Sequence, residues 1–269
     1  MKSRNSIVNF LLVVAFLSMI FQTGCSTTGQ KPTLSPIAAE MGRSESTEAH
    51  RLPAHSSVKP GTGLSEISDP NQLPDFRDEY GKIMLLYAID NSKLYFNKVQ
   101  SYPSTFQSMG FTPAKQKESL EFFRDGYLQC KNSQELNEFI TKNFRIFQAV
   151  SKGSSGDVHF GGYGTPMNDA RVTETWTYVL SNGSFGVPLS KMRSIATGSG
   201  LFPPGGLAFA VLEKGSGQGR KSFFVLNQDT RGTINSADRA DIFFGVGDDA
   251  IEKAGSINTK GKLYYLLKR

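Results

Sequence analysis

The stretch NQDTRGTINSADRADIFFG (residues 227–245) is a polar segment with three aspartates that leads from one apolar run, FFVL (residues 223–226), into a second, IFF (residues 242–244). The second run alternates as a strand does, so Ile242 and Phe244 are expected on one face and Asp241 on the other. Asp229 follows the first run, where an aspartate that caps a turn is ordinary. Asp241 lies in the middle of a predicted strand, where aspartate is disfavoured. Asp241 is therefore the candidate in this stretch for a catalytic role.

The same stretch belongs to a region of short apolar runs that extends to the C-terminus. Seven runs are separated by Gly, Pro, Asn and Ser, and their sequences are DVHFGGYG, ETWTYVL, RSIAT, LAFAVLE, KSFFVLNQ, ADIFFGVG and KLYYLLKR. Such runs are typical of strands joined by tight turns. Because closure removes exposed strand edges, they predict a closed β-barrel over residues 151–269. One short helix is expected among them, over residues 249–253, capped by Asp248 or by Asp249 with Glu252.

Residues 74–150 instead show helical spacing in three segments, which predicts a helical layer packed on the barrel. The second segment begins with Thr112 as cap and Pro113 in the first turn. The third begins with a capping box of Asn132 and Glu135. The residues expected on the buried faces are Phe76, Tyr80, Ile83, Tyr87 and Leu94 in the first helix, Leu120, Phe123 and Tyr127 in the second, and Leu136, Phe139, Ile140 and Phe147 in the third.

The first 24 residues have the layout of a secretory signal, with a basic start and an apolar run at residues 7–21 that is too short to span a bilayer. The segment FQTGC, which ends at Cys25, resembles the lipobox of bacterial lipoproteins, although Gln22 stands where leucine is usual. Ser26 follows, rather than the aspartate that commonly retains such proteins at the inner membrane. We expect a lipid on Cys25 and a position on the periplasmic side of the outer membrane. The alternative is an uncleaved signal or a soluble secreted protein.

Residues 25–73 are rich in Ser, Thr, Pro and Gly and contain almost no apolar clusters. A segment of this composition cannot bury enough apolar surface to order itself. We therefore expect a flexible tether between the lipid anchor and a folded part that begins at residue 74.

Charge and cysteine content restrict the partners and the chemistry. The net charge is +6, and removal of residues 1–24, which contain two basic and no acidic side chains, leaves 6 − 2 = +4. A modest positive charge suits a carboxylate-bearing polymer such as peptidoglycan, and no nucleic-acid partner is expected. With Cys25 acylated, Cys130 has no disulfide partner within one molecule. The three histidines are scattered, so neither a metal site nor a cofactor is expected.

Residues 76–269 resemble a known family. The resemblance is carried by the segments SLEFFRDG, VHFGGYGTP, VPLSKMRSIAT, LFPPGGLAFAVLE, FVLNQDTRGTI, ADIFFG and GKLYYLLKR. They are similar to the membrane-bound lytic murein transglycosylase A family, in its three-aspartate (3D) domain and in its upstream F-T-G-Y-Y-x-P segment. The most specific parts are the spacing from D-T-x-G-x-I to D-I-F and the L-Y-Y-L-L ending.

The resemblance implies a mainly β fold with an α-helical N-terminal layer, built on a six-stranded double-psi β-barrel like those of barwin and endoglucanases. It implies cleavage of the β-1,4 bond between N-acetylmuramic acid and N-acetylglucosamine in peptidoglycan, which leaves a 1,6-anhydro end. The family's catalytic aspartate falls on Asp241 and its neighbouring carboxylate on Asp229. Asp241 would protonate the leaving oxygen and then accept the proton of the sugar's own C6 hydroxyl. An ionised Asp229 nearby would favour the protonated form of this acid.

The resemblance also suggests residues that bind the glycan. Phe160, Gly162 and Tyr163 keep the pattern of the F-T-G-Y-Y segment and are candidate substrate contacts. Arg193 and Ser194 are further candidates, although they could instead help to close the barrel.

The chain departs from the family in several places. Gly161 and Gly164 replace the threonine and the second tyrosine of F-T-G-Y-Y, and Gly198 takes the position of the first of the three aspartates. The family also carries a second β domain between this segment and the strand that matches TWTYVL. Here only residues 167–172 occupy that interval, so half of the expected glycan groove is absent.

Three hypotheses follow. The first is a reduced lytic transglycosylase, which the spacing of Asp229 and Asp241 favours. The second is a non-catalytic peptidoglycan-binding lipoprotein on the same barrel, which the lost groove domain favours. The third is a hydrolase in which Asp241 is the acid and Asp229 activates water, an arrangement that requires a wider separation of the carboxylates.

Overall fold

The computed structural model describes the chain in six segments, which are residues 63–151, 156–167, 171–172, 179–180, 182–213 and 220–269. The predicted signal, Cys25 and most of the predicted tether lie outside these segments. Within the described segments, no helix is both long and apolar enough to cross a membrane.

A helical part precedes a β part, as predicted. The helices are α1 (Lys82–Phe96), α2 (Ser104–Ser108), α3 (Pro113–Gln129), α4 (Ser133–Asn143) and α5 (Asp248–Gly255). The strands are β1 (Leu64–Glu66), β2 (Phe144–Ala149), β3 (Val158–Thr165), β4 (Arg171–Val172), β5 (Val179–Leu180), β6 (Ser194–Thr197), β7 (Leu207–Leu212), β8 (Lys221–Thr230), β9 (Arg239–Val246) and β10 (Asn258–Lys268).

Six strands close into a barrel. Backbone pairing runs from β10 to β3, β9, β6, β8 and β7, and β7 pairs again with β10. The β3–β9 and β6–β8 pairs are parallel, whereas the other four pairs are antiparallel. The predicted six-stranded barrel is thus confirmed, and closure gives each of its strands two neighbours.

The barrel closes at a glycine of β10. Gly261 pairs with Val158 of β3 on one side and with Leu212 of β7 on the other. A Cβ atom at Gly261 would lie 2.1 Å from the carbonyl oxygen of Val211. No side chain fits at that distance, so glycine is what allows the two backbones to approach each other here.

Strands β2 and β1 extend the sheet beyond the barrel. The C-terminal half of β10 pairs with β2, and β2 pairs with β1. Phe147 therefore lies in a strand and not in the third predicted helix, which ends at Asn143 because the following residues bond to β10. The pairing of Leu64–Glu66 with β2 also starts the folded part before residue 74.

The caps predicted for two helices are present. The Thr112 hydroxyl accepts a hydrogen bond from the Lys115 N–H at 3.1 Å at the start of α3. The Asn132 side chain accepts one from the Glu135 N–H at 2.9 Å at the start of α4. The cap predicted for α5 is wrong, because this helix begins at Asp248 after Gly247, whose φ of 94° favours glycine.

The buried face predicted for the first helix is also wrong. Ile83, Tyr87 and Leu94 of α1 are exposed. The face turned to the protein combines large apolar side chains with small ones, and its members are Leu85, Ala88, Ile89, Asn91, Ser92 and Phe96. Gln228 of β8 explains why this face of α1 is buried. Its amide, which is also buried, donates to the Ala88 carbonyl at 2.8 Å and to the Ser92 hydroxyl at 3.0 Å. A buried amide must be satisfied, and only small side chains let the helix come so close.

Candidate active site

Asp229 and Asp241 lie on either side of one strand. Ala196 of β6 is in register with Asp241 of β9 and with Asp229 of β8. Gly161 of β3 is in register with Asp241 on its other side. Residues in register on neighbouring strands lie on the same face, and two strand spacings separate the aspartate Cα atoms by about 10 Å. We call Gly161, Asp241, Ala196 and Asp229 the aspartate row.

Asp241 lies in a recess of this row. Its neighbours, Gly161 and Ala196, have the smallest side chains available. The predicted alternation of β9 is confirmed, because Ile242 and Phe244 belong to the main hydrophobic cluster, whereas Phe243, two residues beyond Asp241, belongs to a separate small one. The Asp241 side chain is only 2% exposed.

Two arginines cover the carboxylate of Asp241. Arg239 donates from Nε to Oδ1 at 3.2 Å and from Nη2 to Oδ2 at 3.5 Å. Arg231 donates from Nη1 to Oδ2 at 3.2 Å. The side chains of these arginines are 47% and 42% exposed, respectively. Sequence reasoning missed both, although Arg239 lies two positions before Asp241 on the same strand face and could have been found from that spacing.

Asp229 accepts four hydrogen bonds. Its Oδ1 accepts from the Ser184 N–H at 2.8 Å, the Ser184 hydroxyl at 2.6 Å and the Thr230 N–H at 2.9 Å. Its Oδ2 accepts from the Tyr163 hydroxyl at 2.9 Å. Ser184 comes from the loop before β6, and no sequence pattern singled it out. Four donors thus fix the carboxylate in place, three of them on Oδ1 and one on Oδ2.

Tyr163 connects the two aspartates. Its hydroxyl holds Asp229, and its ring lies 4.9 Å below the guanidinium of Arg231, which in turn contacts Asp241. Burial, and then the charge of Asp229, raise the pKa of Tyr163 well above its usual value. The phenol therefore stays protonated and acts as a donor. Of the predicted substrate contacts in this segment, Tyr163 is the one that takes part in the site.

The other two residues of that segment differ in their exposure. Phe160 is fully buried in the main hydrophobic cluster and offers no surface to a glycan. Gly162 faces α5, where a Cβ would lie 2.6 Å from the carbonyl oxygen of Ala254. Phe160 therefore packs in the interior, whereas the half-exposed Gly162 remains a predicted substrate contact.

Arg193 and Ser194 are also interior residues. Arg193 is fully buried, and its Nη1 donates to Asp78 at 2.9 Å and to the Phe224 carbonyl at 2.8 Å. The Ser194 hydroxyl donates to Gln228 at 2.6 Å. Neither side chain can contact a glycan, so of the two roles considered for them the structural one holds.

The glycines that depart from the family pattern lie where little space remains. A Cβ at Gly198 would lie 2.4 Å from the Ile234 carbonyl oxygen and from Leu201 Cδ1, so an aspartate does not fit. A Cβ at Gly161 would lie 2.6 Å from Oδ1 of Asp241. Gly161 therefore gives the carboxylate its present position.

Replacing Gly161 with alanine is expected to lower activity about 10- to 100-fold, because the new methyl group must push the Asp241 carboxylate aside. Stability should change little, since the obstructing atom ends a side chain that can move. Turnover of glycan and urea unfolding of the variant would measure both effects. Gly255→Ala is the matched control, because a Cβ there meets nothing within 4 Å. Full activity of Gly161→Ala would refute the role of this glycine.

A cavity of about 340 Å³ adjoins the aspartate row. It is lined by Asp157, Val158, His159, Ser236, Asp238, Arg239 and Lys260. Arg239 is shared between the cavity wall and Asp241. Across the described segments, no group of three His, Cys, Asp or Glu side chains is arranged to hold a metal ion.

Comparisons with known proteins agree with this fold. Residues 193–267 match the 3D domain family, and this interval contains Asp229, Arg231, Arg239 and Asp241. No curated protein matches the sequence closely enough to count as a relative.

Three solved structures have a similar fold. A membrane-bound lytic murein transglycosylase from Agrobacterium tumefaciens is 15% identical, with a TM-score of 0.54 over 77% of this chain and 98% of that one. E. coli MltA with bound chitohexaose is 12% identical, with a TM-score of 0.52 over 77% and 95%. The lytic transglycosylase LtgG of Burkholderia pseudomallei is 13% identical, with a TM-score of 0.53 over 78% and 96%. The chain therefore carries a 3D domain on the fold of these transglycosylases.

Proposed function

We propose that this 3D-domain protein is a peptidoglycan lytic transglycosylase that uses Asp241 as its single acid and base. The observation that carries the proposal is a carboxylate in the middle of a barrel strand, recessed between Gly161 and Ala196 on the face that also carries Asp229. A strand interior disfavours aspartate, and burial of a carboxylate costs free energy. A catalytic role accounts for its presence there.

The reaction needs one carboxyl group that changes its protonation state. With at least one of its guanidinium partners moved aside, Asp241 in its protonated form gives its proton to the glycosidic oxygen as the bond between that oxygen and C1 of the muramoyl residue breaks. The resulting carboxylate then takes the proton of the C6 hydroxyl, whose oxygen bonds to C1 and closes the 1,6-anhydro ring. The nucleophile belongs to the substrate, so proximity replaces the second carboxylate of ordinary glycosidases.

Asp229 is a positioning residue in this proposal. Its four hydrogen bonds hold the loop of Ser184 and the ring of Tyr163, on which Arg231 lies. A base that activates water needs a free oxygen within hydrogen-bond distance of that water. The donors on Asp229 come from Ser184, Thr230 and Tyr163, which supports a positioning role over that of a water-activating base.

A second candidate function is binding of peptidoglycan without catalysis. It is favoured by the covering of Asp241, which leaves its side chain 2% exposed beneath two guanidinium groups. The interval from Pro166 to Ser181 is also too short for a folded domain of its own.

The test is incubation of the full-length protein, solubilised in detergent, with purified cell-wall sacculi, followed by mass spectrometry of the released fragments. The transglycosylase predicts 1,6-anhydro-muramoyl ends. Hydrolysis would give reducing ends instead. Sedimentation of the protein with sacculi without any release would identify a binding module.

We also propose that the chain is anchored by a lipid on Cys25 at the periplasmic side of the outer membrane. The support is the signal-like start and the FQTGC segment. Cells grown with labelled palmitate should label the native protein and not the Cys25→Ala variant, which should leave the membrane fraction. Cys130→Ala is the matched control and should keep both label and location, whereas labelling of Cys25→Ala would refute the anchor.

A further inference from the structure

A second row of polar side chains runs beside the aspartate row. Lys260 of β10 is in register with His159 of β3, and His159 is in register with Arg239 of β9. His159 and Arg239 lie two positions before Gly161 on β3 and Asp241 on β9, respectively, and therefore on the same face of the sheet. We call Lys260, His159 and Arg239 the basic row. Two residues along a strand place it about 7 Å from the aspartate row.

The basic row can bind an anion. It lines the cavity of about 340 Å³ beside Asp241, and its side chains are exposed or half exposed. Among the described residues, Lys260 makes no ion pair, and Nη1 of Arg239 makes no hydrogen bond. Of the acidic groups in the same wall, Asp157 pairs with Lys262 at 2.7 Å, and Asp238 accepts the Ser236 hydroxyl, so the two cations Arg239 and Lys260 face one carboxylate, that of Asp238, for which the described residues provide no ion pair.

Arg239 links this cavity to the reaction. It contacts both oxygens of Asp241, and Arg231 contacts one of them. An acid must lie about 2.6–3.2 Å from the oxygen that it protonates. A carboxylate that is 2% exposed cannot meet a glycosidic oxygen until at least one guanidinium moves. A competing anion in the cavity would provide a new partner for Arg239, in the bidentate geometry that guanidinium groups favour.

We propose that the basic row binds a carboxylate on a substituent of the glycan, and that this carboxylate draws Arg239 away from Asp241. The inference rests on the proposed function, since the ligand is part of the proposed substrate. It assigns the protein to strands whose muramoyl residues carry acidic groups, in preference to neutral chito-oligosaccharides. Arg239 is thereby both a specificity determinant and a cover for the acid.

Binding can be tested without any turnover. The probes are N-acetylmuramoyl peptides with free carboxylates and the same compounds with those carboxylates amidated, neither of which has a glycosidic bond to cleave. Calorimetry on the wild-type chain should show about 10-fold or more tighter binding of the free acid. Arg239→Gln should abolish the preference, Arg239→Lys should keep part of it, and Lys260→Gln should weaken it. Lys142→Gln, on the remote helix α4, is the matched control and should keep it.

Two results would overturn the inference. One is equal affinity of the wild type for both probes. The other is an equal loss of preference in Lys142→Gln, which would mean that net charge and not the basic row attracts the ligand. Cleavage of sacculi without a charge preference would reject this inference and leave the transglycosylase standing. A preference abolished by Arg239→Gln without cleavage would support the basic row and reject the transglycosylase.

Discussion

The Asp241→Asn variant is expected to release anhydro-muramoyl ends about 10²- to 10⁴-fold more slowly than the wild type. Asparagine keeps the shape of the side chain and can neither give nor take the proton. The variant should still fold, because Arg231 and Arg239 are 42% and 47% exposed and remain solvated without their partner. The rate is measured by mass spectrometry of fragments released from sacculi, with urea unfolding as the check on folding.

Two further variants serve as a control and a comparison for Asp241→Asn. Asp249→Asn changes an exposed aspartate in the first turn of α5 and should retain the wild-type rate. Asp229→Asn should have a smaller effect than Asp241→Asn, because Asp229 acts through Tyr163 and Ser184. Equal losses in Asp229→Asn and Asp241→Asn, together with reducing ends in the wild-type digest, would instead establish a two-carboxylate hydrolase.

Replacing Asp78 with alanine is expected to lower the free energy of unfolding by about 3–5 kcal/mol. Asp78 and Arg193 form an ion pair at 2.9 Å with side chains only 3% and 1% exposed. The Tyr127 hydroxyl also donates to Asp78, at 2.6 Å. Without the carboxylate, Arg193 keeps its bonds to the carbonyls of Phe224 and Gly81, but its charge is buried without compensation.

Urea unfolding of the full-length chain measures the loss. Glu79→Ala is the matched control, since Glu79 is the exposed neighbour and its removal should cost less than about 1 kcal/mol. The double variant Asp78→Leu with Arg193→Met should recover much of the stability, because apolar side chains of similar size can replace a buried pair. An Asp78→Ala variant as stable as the wild type would show that this ion pair does not hold the helical part to the barrel.

Two helix caps and the strand alternation of β9 were predicted correctly from the sequence, because both depend on residues that are close together in the chain. Thr112 and Asn132 were identifiable as caps because each bonds to an N–H only three residues away. The alternation around Asp241 was identifiable because side chains on a strand change face at every residue. The 3D-domain match to residues 193–267 confirms the family resemblance that the segments within this interval carry.

The wrong predictions came from partners far away in the chain. The buried face of α1 was assigned from the spacing of large apolar residues, whereas the structure turns inward the face that carries Ala88 and Ser92, which accept hydrogen bonds from Gln228, 140 positions from Ala88. The ion-pair partner of Arg193 was likewise not identifiable from the sequence, because Asp78 lies 115 positions away. A buried polar group selects its neighbours by hydrogen bonding, and apolar periodicity carries no information about that choice.

The sequence alone determined the helices before the barrel, the strands of the barrel and the candidate carboxylate, because helical and strand periodicities are properties of consecutive residues. Tertiary structure alone decided what surrounds that carboxylate. Closure of the barrel places Asp229 and Asp241 on either side of Ala196, aligns Lys260, His159 and Arg239 beside them, and seats Arg231 on the ring of Tyr163. These contacts join strands that are distant in the chain, and their register is set by the packing of the whole barrel.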